Sequence, residues 1–162
     1  MENEKSPLEK LKENYYSIKD KYNLPEFSEL NEDFGIETIA EHETDFLIRE
    51  IKKCVTEKLS NAARLIETLL NPANGSMFVF SIVKSLDAED RKKLTELYKK
   101  LSEFGLESII LDLESSEKDD AELVKRIYEF WNQSKHELVS IFNKVKEIKE
   151  NKSDSNNKGY FG

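Results

Sequence analysis

Eight positions near the carboxyl end, Val124, Ile127, Trp131, Ser134, Leu138, Ile141, Val145 and Ile148, recur at alternating steps of three and four residues, and only Ser134 is not apolar. That seven-residue rhythm lines one side of an α-helix and suits packing of helix on helix. The feature dictates how the chain folds without naming a reaction. A helix over 117–149 would be roughly 50 Å long at 1.5 Å per residue. This exceeds the width of a small domain, so its end either projects or meets a partner.

The rest of the chain agrees. Five Gly and three Pro in 162 residues leave few turns, which favours long helices over a sandwich or barrel. The expected fold is an all-α helical bundle of three to four principal helices with short connecting helices and a long C-terminal helix. It occupies a single domain over 1–150, followed by a disordered polar tail over 151–162.

Local signals divide the chain. Ser6-Pro7-Leu8-Glu9 supplies an N-cap, a Pro at the first helical position and a Glu at N3, opening a helix over 7–22. Asn23-Leu24-Pro25 ends it. Residues 24–43 form an acidic connection with apolar anchors and a short helix over 36–42. A second long helix spans 44–70 and stops at Asn71-Pro72-Ala73-Asn74-Gly75. Ser76 to Val83 has strand-like composition, but no second strand exists to satisfy its backbone groups, so a short buried helix is expected over 77–85. Asp87 caps a helix with Leu94, Leu97, Tyr98, Leu101 and Phe104 on its stripe. Gly105 is placed to terminate it. Leu106, Ile109, Ile110 and Leu113 are then expected to point inward from a further turn or two. The predicted core holds Leu11, Tyr15, Ile51, Val55, Ala62, Leu69, Phe78, Leu94, Leu97, Leu101, Ile127, Trp131, Leu138 and Ile141.

Candidate chemistry fails on spacing. Di-iron bundles use Glu-x-x-His pairs, whereas Ile39 precedes His42 and Gln133 precedes His136 at that interval. The acid-rich run 112–122 lacks the calcium loop's Gly at position six, where Glu117 stands, and its closing Glu, where Leu123 stands. No Gly-x-Ser-x-Gly or phosphate-cradling Gly loop occurs. Cys54 is alone, with no His near it in sequence, and reads as a small hydrophobe on a helix. No catalytic, cofactor-binding or metal-binding residue is assigned, and no cofactor is expected.

Charge is uneven. Residues 26–50 hold nine acids against Arg49, a net −8 that equals the net charge of the whole chain. Such a stretch repels nucleic acid and anionic membranes and could attract a basic protein partner. On the 88–104 helix, Lys92, Lys93, Lys99 and Lys100 alternate with Glu89, Glu96 and Glu103, which reads as a salt-laced solvent face.

The leading functional expectation is a non-enzymatic protein–protein interaction or assembly module, either a homo-oligomer or one that takes a partner helix. Phe130, Trp131, Leu138 and Ile141 are its candidate contact residues, with core packing as the alternative role for the seam. A second class of function is a helical bundle with an aromatic-lined pocket for a small molecule, drawing on Phe78, Phe80, Tyr98, Phe104, Tyr128 and Trp131. A weaker third is an acidic subunit of a nucleic-acid-processing assembly. With no apolar run near 18 residues, no membrane span is expected and the cytoplasm is the default location.

Overall fold

A computed structural model of the chain describes residues 5–157, with side chains described for all but 74, 149 and 152–157. The fold is an all-α helical bundle with a long C-terminal helix, and no strand occurs among the described residues. The helices are α1 (Pro7–Tyr22), α2 (Phe27–Phe34), α3 (Leu47–Leu70), α4 (Met77–Val83), α5 (Ala88–Glu114) and α6 (Glu117–Asn157). Short 3-10 turns cover Ile36–Glu41 and Pro72–Asn74. The chain groups into two compact units, Met1–Asn61 with Leu101–Phe130, and Ala62–Lys100 with Trp131–Gly162.

In the first unit, α1 begins where its cap predicts. Ser6 Oγ accepts from the Glu9 N–H at 3.3 Å, and the Glu9 carboxylate accepts from the Ser6 N–H at 2.8 Å. That backbone bond holds the Glu9 carboxyl below its ordinary value. Asn23 closes the helix in the left-handed region at φ 53°. The acidic connection is more ordered than its composition suggests. Its apolar anchors fall at helical spacing, so Phe27, Leu30 and Phe34 turn one side of α2 into the core. Gly35, at φ 63°, turns the chain into the 3-10 segment, which buries Ile36 and Ile39. Tyr15 is wholly buried, stacks edge-on against Phe27 at 5.4 Å and donates its hydroxyl to the Pro25 carbonyl at 2.6 Å. Burial raises its phenol above the usual value.

The second unit is built on Ile66, Leu69, Ile82, Leu86, Leu94, Leu97, Trp131, Leu138, Ile141 and Val145, all buried. Gly75 precedes α4 because there is no room for a side chain: a Cβ would lie 2.9 Å from Val79 Cγ1 and 3.0 Å from the Pro72 carbonyl. Ser76 caps α4 through the Val79 N–H, and the Arg91 guanidinium donates to the Val83 carbonyl at its other end. Asp87 and Asp90 cap the start of α5 reciprocally at 2.8 and 3.2 Å.

Lys144 reaches both acids, at 2.6 Å to Asp87 and 2.7 Å to Asp90. Its hydrogen bond, with that from the Asp90 backbone, depresses the Asp87 carboxyl to about 2 and raises the Lys144 ammonium. A depressed carboxyl stabilises the fold above the usual carboxylate range and loses that contribution as pH falls toward 2. An NMR titration should place the Asp87 midpoint near 2, and Lys144→Ala should return it toward the ordinary range. An ordinary midpoint in the unsubstituted protein would show the pair does not persist in water.

Several expectations are corrected. Gly105 does not end a helix: α5 runs through it to Glu114, since the residues beyond are good helix formers and nothing crowds the glycine's Cβ position. The break falls at Ser115, at φ 58°. As a result Leu106, Ile109, Ile110 and Leu113 face outward. Phe78, expected in the core, is exposed, and Ala62 is half-buried, while the other twelve predicted core residues are buried. α6 continues past 149 to Asn157, into the segment expected as tail, because no Gly or Pro interrupts it before Gly159; residues 158–162 lie outside the described range. Lys144 therefore lies well inside α6, where it pairs with the start of α5.

Candidate protein-interaction surface

The seam that carried the sequence argument is spent inside the chain. Its members from Val124 to Val145 are buried, Ser134 among them, and Ile148 is half-buried. Of the expected contact residues, Trp131, Leu138 and Ile141 lie in the core of the second unit. Phe130, in the first unit, is half-buried with its ring 5.4 Å from that of Phe104. These side chains already have their cover, so the free apolar surface lies elsewhere.

It lies on the C-terminal part of α5, within the first unit. Leu101, Phe104, Ser108 and Leu111 face the core. On the opposite side, Leu106 (61% exposed), Ile109 (61%), Ile110 (46%) and Leu113 (83%) form a stripe at steps of three, one and three. Positions i, i+3, i+4 and i+7 share one helix face. A helix apolar on both sides is normally covered on both. Here one side is covered and the other meets water, leaving an apolar patch on the order of 400 Å².

The rim of the stripe is acidic. From 101 to 117 the chain holds Glu103, Glu107, Asp112, Glu114 and Glu117 and no Lys or Arg. Three of these acids are held by groups from elsewhere in the unit. Arg126 grips Glu107 with both terminal guanidinium nitrogens. The Tyr22 hydroxyl donates to Glu117 at 2.7 Å and lowers its carboxyl. Asp112 bonds Lys52 Nζ at 2.7 Å.

Lys52 anchors the unit's buried polar cluster. It is fully buried on α3, and its Nζ donates at 2.7 Å to Asp120 Oδ1 as well as to Asp112. Asp120 is 1% exposed, in the first turns of α6. Arg49 Nε sits 4.0 Å from Asp120 Oδ2, beyond hydrogen-bond reach, and its buried N–H has no hydrogen-bond partner. The lysine ties α3 to α5 and α6, and so fixes the face that α5 turns outward.

Charge divides sharply between the units. The first carries twelve Lys and Arg against twenty-four Asp and Glu, a net −12; the second carries thirteen against nine, a net +4. Together they restore the −8 of the whole chain.

The residues drawn on for an aromatic-lined pocket divide between the two units. Phe104 and Tyr128 belong to the first unit and Phe78, Phe80, Tyr98 and Trp131 to the second, where Phe78 and Phe80 are exposed. A cleft of about 480 Å³ in the first unit is lined by α1, residues 39–45 and Leu47, with no Phe, Tyr or Trp among them. Buried Leu11, Ile39 and Leu47 line it alongside exposed Glu41, Glu43 and Asp45. Cys54 is half-buried, which pushes its thiol up and away from reactivity. Among the described residues, no group of His, Cys, Asp and Glu is placed to hold a metal ion, and no helix is long and apolar enough to cross a membrane.

No protein-family model, curated protein or solved structure matches the chain.

Proposed function

We propose that this protein is a non-enzymatic interaction and assembly module whose contact surface is the outward face of α5. The observation that carries this reading is the doubly apolar stretch 106–113, covered on one side only. Leu, Ile and Leu again at helical spacing are the anchors an amphipathic partner helix uses. The acidic rim adds selection by charge, repelling acidic surfaces and favouring basic ones. The acidic stretch 26–50, in the same unit, extends that field and would draw a basic partner from a distance. A reducing cytoplasmic setting suits the single, poorly ionising thiol.

A photo-crosslinking side chain at position 113 tests the reading. Irradiation should yield protein adducts from position 113 and none from the same group placed at exposed Glu129. Equal yields from both positions, or none from either in the purified protein and in cell extract, would remove the surface from consideration.

A further inference from the structure

A second exposed apolar surface lies in the other unit. Met77 is 84% exposed, Phe78 62% and Phe80 39%, all on α4. Its surroundings in sequence invert those of the α5 stripe. Between Glu67 and Asp87 the chain holds Lys84 and no acid. At the C-terminal end of α4, the exposed Arg91 adds a second cation. One chain thus carries an apolar stripe rimmed by acids in a unit of net −12, and an apolar helix beside Lys84 and Arg91, with Asp87 at that end paired to Lys144, in a unit of net +4.

The geometry points to a second copy of this chain as the occupant: α4 of one molecule docks on the α5 stripe of the next. This rests on the stripe being a contact surface, as proposed above, and adds what covers it. A like-with-like arrangement is disfavoured. Two stripes packed antiparallel would set Glu103 of one copy near Glu114 of the other and bring two strongly acidic units together, whereas stripe against α4 brings opposite charges together. The contact is heterologous, so a pair keeps the stripe of one copy and the α4 of the other for further addition. The apolar areas, on the order of 400 Å² a side, fall below those of standard stable interfaces, which makes the association weak and concentration-dependent.

Sedimentation of the purified chain across a concentration series, at low and high salt, gives the first readout. The expected result is growth beyond a dimer as concentration rises, weakening at least tenfold in half-molar salt. Leu113→Lys and Met77→Lys change exposed side chains, and each alone should leave a monomer. Mixed, they should restore a dimer that grows no further, since one copy retains α4 and the other the stripe. Ile109→Lys and Phe80→Lys repeat the test, with circular dichroism confirming that each variant is folded.

A chain that stays monomeric to several hundred micromolar at low salt overturns the inference. So does association that survives either variant, or variants that do not complement one another when mixed. If the chain is monomeric yet position 113 crosslinks to a different protein, the interaction surface stands and only its occupant is wrong.

Discussion

Lys52→Ala is expected to cost about 3–5 kcal/mol of folding stability, the usual loss when one member of a buried ion pair is removed. The reason is the carboxylate left behind. Asp120 is 1% exposed and loses the ammonium at 2.7 Å; Arg49, at 4.0 Å, does not hydrogen-bond it. Asp112 is half-exposed and can be rehydrated, so the penalty concentrates on Asp120. Removing both charges should behave differently. Lys52→Met with Asp120→Leu replaces two desolvated ions by apolar groups of similar volume, and such exchanges are often neutral or stabilising. Denaturant titrations of the single and double variants would measure both effects. A single-variant loss below about 1 kcal/mol would be the range of an exposed pair and would place Lys52 in water. A double variant as unstable as the single one would show that the cluster holds α3 to its neighbours by more than charge.

How far the sequence reveals such features depends on whether phase can be followed without interruption. The α6 seam was legible because seven consecutive steps keep one rhythm, and the structure buries it as far as Val145. α1 was legible because a cap, a Pro and an Asn terminator all act within the helix itself. The outward stripe was misread at a single residue. Taking Gly105 as a stop severs the downstream turns from the phase set by Leu94, Leu97, Leu101 and Phe104. Carried through the glycine, that phase lands on Ser108 and Leu111, which are the buried positions. Leu106, Ile109, Ile110 and Leu113 then fall on the opposite face. Lys52 hid for a related reason. It shares the spacing of Ile48, Val55 and Leu59, but a lysine at such a position ordinarily lies at the surface. Its partners, Asp112 and Asp120, stand far along the chain, and no local pattern pairs them. The two-unit division and the charge asymmetry that follows from it depend on those same long-range contacts.

The seam and the stripe make opposite predictions for the same chemical change. Leu138→Lys with Ile141→Lys puts two ammonium groups where side chains are 8% and 4% exposed. Each costs several kcal/mol in such a setting, and total stabilities of 5–15 kcal/mol do not absorb two. That variant should lose cooperative melting and most of its helical dichroism. Ile109→Lys with Leu113→Lys adds the same two charges to residues 61% and 83% exposed. Its stability should shift by about 0.5 kcal/mol or less, as for most surface substitutions, while association is lost. Paired thermal melts decide the matter. If the first variant melts like the parent, the seam lies at a surface and the helical packing described here is wrong. If the second unfolds, the α5 stripe is core and cannot be a docking face. Only the combination of a collapsed first variant and an intact, non-associating second one separates what holds the chain together from what it presents to others.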